Sequence, residues 1–381
     1  MKILLIHTEY QILGGEDTVF KEESELLKLE NEVITLTLKN KYGTRGAVQF
    51  LFSIWNVRVA KQVYNLASNL KPDVIHIHNW HFASGPLFIR AIKKLRIPIV
   101  MTLHNYRLIC PSGTLLYNEK LFLNSLKAFF PWQAVFMKVY RNSFFQTFWL
   151  AFVVWLHKRL GTWTMVDRFI VLTKSAKILY LNSHLGIPES KLMIKPNFVR
   201  VNELAQIERS SIFLFIGRLS SEKGINVLLD AFIGSKFKLN IAGSGPMQSH
   251  IEKLIIQNRN IKYLGNLKKD EVLNAMRSAT ALVFPSIWYE GMPMTIIESF
   301  AVGTPVIGSN IGAMKSMITN GVNGLLFDTG SSNSLARKLE YWDSISLDQK
   351  LQYSKLAKDT YLSFYTPEIA LSELTDIYNS V

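Results

Sequence analysis

Short apolar runs alternate with amphipathic helical stretches along the whole of this 381-residue chain, and that alternation limits its fold more than any other feature. Parallel strands need crossover connections, and helices supply them, so the repeated pattern predicts parallel sheets covered on both faces. Strands are predicted at 2–7, 33–38, 73–78, 98–104, 169–173 and 192–195, and again at 212–217, 237–242, 261–264, 281–284, 305–308 and 324–327. A chain this long is large for one domain and comfortable for two, each able to bury its own core. Its hydrophobic fraction of 48% and aromatic fraction of 12% exclude a disordered protein. The single cysteine, Cys110, excludes a disulfide framework and a Cys-based zinc site, and reads as a small buried residue. The N-terminus opens on a strand with no signal-peptide pattern, so a cytoplasmic protein is expected.

Chemistry concentrates in the stretch Glu290-Gly-Met-Pro-Met-Thr-Ile-Ile-Glu298. The run Ala281–Phe284 reads as a buried strand, and Pro293 suits the first position of the following helix. Glu290 then falls in the connecting loop and Glu298 about one and a half turns into the helix. A helix N-terminus offers unpaired N–H groups and a positive dipole end to a phosphate, and flanking carboxylates accept hydrogen bonds from sugar hydroxyls. Spacing alone is equally compatible with two solvated surface carboxylates. A second segment, Phe213-Leu-Phe-Ile-Gly-Arg218-Leu-Ser-Ser-Glu-Lys223-Gly224, is a strand entering a glycine-bounded loop with two cations. Arg supplies a rigid fork of donors and Lys a mobile point charge, a pair suited to a diphosphate, although an ordinary basic turn has the same look.

Together these segments, in this order and about 70 residues apart, resemble the retaining glycosyltransferases of family 4, whose fold is α/β with two Rossmann-like domains facing a central cleft (GT-B). The resemblance implies that Arg218 and Lys223 hold the donor diphosphate, that Glu298 binds the ribose hydroxyls and that Glu290 contacts the donor sugar. It implies backbone donors at Met292, Met294 and Thr295; Pro293 has no N–H to offer. Gly14 and Gly15 match the glycine loop beside the donor phosphate, and His104, ending the run Ile99–Leu103, matches the histidine that reaches the donor sugar. The implied catalytic set is therefore His104, Glu290, Arg218 and Lys223, with Gly243 a further donor contact or a plain turn. Pro196-Asn197-Phe198 resembles the family's hinge, giving an acceptor-side domain at 1–197 with an insert at about 114–165, a donor domain at 198–365, and a C-terminal helix at 366–381 packing back on the first. In the family's picture, domain closure brings His104 and Gly15 to the donor.

Other features carry less. His76, His78 and His81 suggest a metal site, but no carboxylate lies near them in sequence except Asp73, so they read as cleft-lining or structural histidines. Gly243-Ser-Gly245 lacks the third glycine of a dinucleotide fingerprint. No Asp-x-Asp occurs, so the expectation is a metal-independent enzyme without a cofactor, in which cations and a helix terminus stabilise the diphosphate.

Charge is uneven. Residues 1–200 carry 26 Lys/Arg against 12 Asp/Glu, so the whole net charge of +14 belongs to the acceptor half. The insert mixes Lys127, Lys138, Arg141, Lys158 and Arg159 with Phe129, Phe130, Trp132, Phe144, Phe145, Trp149 and Trp155. That mixture suits an interfacial helix on an anionic membrane surface, or else aromatic core helices; its longest apolar run is well short of a bilayer span. The function expected is transfer of a sugar from a nucleoside-diphosphate donor to a lipid-linked saccharide in surface-polysaccharide synthesis (O-antigen, capsule or exopolysaccharide, the subgroup this chain resembles), at the inner face of the plasma membrane. A GT-B sugar-nucleotide epimerase needs no large acceptor surface. A basic nucleic-acid-binding protein leaves the Arg218/Lys223 and Glu290/Glu298 pairs unexplained, so no nucleic-acid partner is expected.

Overall fold

The computed structural model describes residues 1–11, 14–201 and 208–381. The chain forms two compact units, one of Met1–Tyr117, Phe122–Pro196 and Leu371–Val381, the other of Asn118–Leu121 and Asn197–Ala370.

The elements of the first part, in order, are β1 (Lys2–Glu9), α1 (Gly15–Leu27), β2 (Glu32–Lys39), α2 (Gly43–Phe52), α3 (Val57–Leu70), β3 (Val74–Ile77), α4 (Leu87–Lys93) and β4 (Ile99–Leu103). Two short strands follow, β5 (Leu116–Tyr117) and β6 (Lys120–Leu121), then α5 (Trp132–Phe136), α6 (Phe144–Arg159), β7 (Arg168–Val171), α7 (Lys174–Leu181) and β8 (Leu192–Ile194). The main sheet has the order β2-β1-β3-β4-β7-β8 with all neighbours parallel. Ile3, Leu4, Leu5 and Ile6 of β1 are all fully buried, as a strand covered on both faces requires. The core joins Ile3, Leu5, Phe20, Val74, Val100 and Ile170 to Leu374, Ile377 and Tyr378 from the chain's last turns.

The second part runs β9 (Ile212–Ile216), α8 (Ile225–Phe232), β10 (Lys238–Ala242), α9 (Gln248–Ile255), β11 (Ile261–Tyr263), α10 (Lys269–Ser278), β12 (Ala281–Phe284), α11 (Met294–Ala301), β13 (Val306–Ser309), α12 (Gly312–Met317), β14 (Gly324–Phe327), α13 (Ser332–Ser344), α14 (Leu347–Phe364) and α15 (Pro367–Asn379). Its sheet order is β11-β10-β9-β12-β13-β14, again parallel throughout. All twelve strands expected from the sequence are present, and both units are Rossmann-like. In such sheets the strand order reverses at one point, and ligands bind beyond the C-terminal strand ends there. The reversal lies between β1 and β3 in the first unit and between β9 and β12 in the second.

In the insert, α6 starts at Ser143, whose hydroxyl accepts from the Gln146 N–H at 3.3 Å, and ends on His157, Lys158 and Arg159, which suit the negative end of its dipole. Phe144 and Phe145 are exposed, while Trp149 and Trp155 are only half-exposed, and Trp149 donates its indole N–H to the Phe50 carbonyl at 2.8 Å. The insert's aromatics therefore divide between packing and solvent. Among the described residues no helix is long and apolar enough to cross a membrane.

Candidate functional site

In the second unit, the strand ends at the reversal point lead directly into the two segments singled out by sequence. β9 runs into Gly217 and Arg218, and β12 runs into Pro285 and the loop to Glu290. The loops are tied together by backbone bonds: Gly217 N–H to the Ala242 carbonyl (3.1 Å), Leu219 N–H to Ser244 (2.9 Å) and Ile287 N–H to Glu222 (3.0 Å). Two glycines permit the close approach. A Cβ at Gly243, where φ is +128°, would lie 1.9 Å from the Gly217 carbonyl oxygen; one at Gly224, at φ +74°, would lie 1.9 Å from that of Pro285. Gly243 thus has a structural duty whatever else it does.

Lys223 Nζ donates to Glu290 Oε1 at 2.7 Å, and the Ser286 hydroxyl donates to the same oxygen at 2.7 Å. The ammonium also lies 5.6 Å from the Phe284 ring centroid and 5.5 Å from that of Trp288, a partly aromatic cage that fixes its position. Glu290 is buried, so this lysine and serine hold a carboxylate that would otherwise be costly to enclose. Arg218 is exposed, and among the described residues its side chain has no hydrogen-bond or ion-pair partner. One cation is anchored and the other is unengaged.

The helix after this loop differs from expectation in one detail. Pro293 is extended (ψ 111°) and precedes the helix as its cap, so Met294 is the first helical residue and Glu298 lies little more than one turn in. No side chain caps this N-terminus. The amides of Met294 and Thr295, on partly exposed residues, are the first-turn donors that helical bonding leaves open. Met292 is buried, and its sulfur accepts from the Asn197 N–H at 3.2 Å. Burial raises the Glu298 carboxyl above its ordinary value, with Lys269 opposing. Two cations, open amides and two carboxylates within one loop system can bind a diphosphate and accept from hydroxyls.

In the first unit, Gly14 caps α1 and donates its N–H to Asp17 Oδ2 at 2.7 Å; Asp17 Oδ1 lies 2.9 Å from His7 Nε2. Gly15 begins the helix with open space at its Cβ position. Glu16, next in line, is enclosed and accepts from the Asn105 amide at 2.8 Å; burial raises its carboxyl. His104 is buried at the end of β4, with Nε2 3.1 Å from Nδ1 of His78. Burial, then the neighbouring His78, holds the His104 imidazolium form well below its usual range, so His104 is neutral.

The sequence-based statement that no carboxylate accompanies the histidines is corrected here. Glu23 of α1 places Oε1 3.1 Å from His78 Nε2 and 3.5 Å from His76 Nδ1. Its donors lie more than fifty positions away, so no local motif could have shown it. Ser286 was missed for another reason: a serine four residues before a glutamate is too common to signal anything. His81 stands apart from His76 and His78, with neither ring nitrogen bonded among the described residues.

Comparison with known proteins follows the same division. Residues 29–203 match the model of Glycosyltransferase Family 4, and residues 201–359 match that of Glycosyl transferases group 1. An uncharacterized glycosyltransferase of Methanocaldococcus jannaschii, MJ1607, is 26% identical over 416 aligned positions, covering 99% of this chain and 98% of the relative. A second from that organism, MJ1178, is 34% identical over 128 residues, which is 33% of this chain and only 36% of the relative's length. Among solved structures, the Anabaena protein Alr3699/HepE in complex with UDP and glucose superposes with a TM-score of 0.66 at 16% identity, covering 100% of both chains. The lipopolysaccharide outer core galactosyltransferase WaaB gives 0.67 at 18% identity, also over 100% of both.

Proposed function

We propose that this chain, which has the GT-B fold and whose two halves match the models of Glycosyltransferase Family 4 and Glycosyl transferases group 1, moves a sugar from a nucleoside diphosphate to a lipid-linked saccharide, with retention and without a metal. The observation that carries the donor half of this reading is the anchored Lys223–Glu290 pair at 2.7 Å beside the uncapped N-terminus of α11. In the reaction the bond between the sugar C1 and the diphosphate oxygen breaks, and the acceptor oxygen bonds C1 on the same face. The acceptor proton passes to the departing diphosphate. Arg218, Lys223 and the open amides of Met294 and Thr295 stabilise the charge that grows on that leaving group. Glu290 contacts the sugar and Glu298 the ribose hydroxyls. The printed names of two proteins of the same fold agree with this reading: WaaB is called a lipopolysaccharide outer core galactosyltransferase, and HepE was captured with UDP and glucose.

The acceptor half rests on the first unit. Phe129, Trp132, Phe136, Phe144 and Phe145 are exposed, with Trp132 and Phe136 stacked at 6.0 Å and Phe136 and Phe144 6.0 Å apart. Val48, Leu51 and Phe52 of α2 are exposed too, a face the sequence reading did not single out. With the cationic surplus of this half, these groups suit the anionic inner face of a plasma membrane, where a lipid-linked acceptor is presented. The test is incubation with labelled UDP-, GDP- and ADP-sugars and a lipid-linked saccharide extract, followed by anomeric analysis. Transfer of label into the lipid phase with the donor's anomeric configuration, undiminished by EDTA, supports the reading. An inverted product, or an epimerised free nucleotide sugar, contradicts it.

A further inference from the structure

Beyond the ends of β3 and β4 in the first unit lies a small cavity of about 20 Å³. Asn79 and His81 line it from the loop after β3, and His104, Asn105 and Arg107 from the loop after β4. These strands are parallel neighbours, and β3 borders the point of reversal, so both loops leave the sheet where such folds bind ligands. All five residues belong to the first unit. Two of them are enclosed and unsatisfied among the described residues. His81 is only 3% exposed, and neither Nδ1 nor Nε2 has a hydrogen-bond partner. Arg107 encloses Nε and Nη1, and neither finds an acceptor. Buried donors without partners are rare and costly, so the cavity calls for a group that accepts from both side chains.

The guanidinium is held in place. It lies 5.4 Å from the Tyr140 ring centroid, and a Cβ at Gly113, where φ is +74°, would stand 3.2 Å from its Nη2. Among the described residues no carboxylate pairs with it. Between Glu32 and Glu119 the only acid in the sequence is Asp73, which lies before β3 and accepts from the Lys2 N–H at 2.6 Å, at the opposite edge of the sheet. Burial raises the Glu16 carboxyl, and Arg107 offsets this less than the Asn105 hydrogen bond does, so Glu16 is no ion-pair partner. Burial, then Arg107, holds His81 well below the usual imidazole range, so it is neutral with one N–H to donate. A sugar hydroxyl can accept from these groups but cannot balance the guanidinium, whereas an oxyanion does both. The cavity has room for about one oxygen atom, so a single oxygen enters and the rest of the anion stays outside. Resting on the glycosyltransferase reading, we propose that the acceptor is recognised through an oxyanion, a carboxylate or phosphate, that sets one oxygen against Arg107 and His81.

Histidine-selective ¹⁵N NMR of the full-length protein tests this, with H81N identifying the His81 signals. The wild type is titrated with glucuronate, with inorganic pyrophosphate and with glucose. At least one of the two anions should shift the His81 signals to saturation, and glucose should not. A response to glucuronate alone identifies an acidic sugar of the acceptor as the source, and one to pyrophosphate alone identifies the diphosphate of its lipid carrier. R107Q should weaken the response roughly 10–100-fold, the worth of a charge-assisted hydrogen bond. In the transfer assay R107Q should raise, by a similar factor, the amount of lipid-linked saccharide extract needed for half-maximal rate, with KM for the nucleotide sugar unchanged. No saturable shift with either anion, as in a cavity that holds only water, overturns the proposal. So does an undiminished response in folded R107Q, or a rise confined to the nucleotide-sugar KM, which would assign the oxyanion to the donor. The wild-type titration decides even if R107Q fails to fold. It needs no turnover, so its failure leaves glycosyl transfer standing, and a failure of transfer leaves the anion site standing.

Discussion

Lys223 and Arg218 illustrate how differently two cations of one loop are held. Lys223 is anchored by Glu290 and two rings, whereas Arg218 is exposed and unengaged. Lys223→Ala removes a preorganised charge and takes an ammonium from the buried Glu290, and should lower kcat/KM by roughly 10²–10³ in steady-state assays. Arg218→Lys should cost less than Lys223→Ala but still be measurable, because a point charge cannot reproduce the guanidinium fork. Near-full activity of Lys223→Ala would contradict the role given to this loop. The Arg218, Lys223, Glu290 and Glu298 pattern was legible because each residue sits within a few positions of a recognisable strand end. The Lys195–Glu23–His78 row was not, since its members come from α1, the end of β3 and the end of β8. The parallel sheet puts both strand ends on one edge with β4 and β7 between them, and Glu23 of α1 meets both side chains: Lys195 donates to its Oε2, and His78 Nε2 lies 3.1 Å from its Oε1.

At the scale of elements, strand limits were legible from continuous apolar runs, the mark of strands buried on both faces. Exposure in the insert was not. Helix α6 reads FFQTFWLAFVVWLHKR, apolar on nearly every side, so no periodicity distinguishes its buried from its exposed flank. The mixture of cations and aromatics in the insert suits an interfacial or a core helix, and the half-exposed Trp149 is tied to the Phe50 carbonyl. The loop junction gives a sharper prediction. Gly243→Ala would place a methyl 1.9 Å from the Gly217 carbonyl oxygen. It should cost at least about 1 kcal/mol in denaturant melts and weaken nucleotide binding by displacing the Gly217–Arg218 turn. Gly15→Ala meets open space and should leave stability almost unchanged, which makes it the control.

At the scale of the whole molecule, the charge surplus of the first 200 residues and the exposed aromatics predict sedimentation with anionic vesicles. Binding should fall in high salt, be absent on neutral vesicles, and weaken in a Phe136→Ser/Phe145→Ser variant that keeps its melting temperature. Undiminished binding by that variant would move the contact elsewhere. Acid should destabilise the protein earlier than carboxylates alone would dictate. Burial holds His76, His81 and His104 well below the ordinary histidine range in the folded state. Their stabilising effect is complete above the unfolded value of about 6.5 and is lost as pH falls below it, at up to about 1.4 kcal/mol per pH unit for each group. Melting temperature should therefore drop steeply from pH about 6.5 downward; a flat profile through that window would show that these imidazoles titrate normally.

The central claim is that the loop system of the second unit binds a nucleoside-diphosphate sugar through Arg218 and Lys223. Thermal melts of the wild type and of an Arg218→Ala/Lys223→Ala variant, with UDP-, GDP- and ADP-sugars in EDTA, measure this most directly. One nucleotide sugar at a hundred times its dissociation constant should stabilise the wild type by about 2.7 kcal/mol and leave the variant's transition where it was. Equal stabilisation of both proteins, or a shift that requires added divalent metal, would contradict the account.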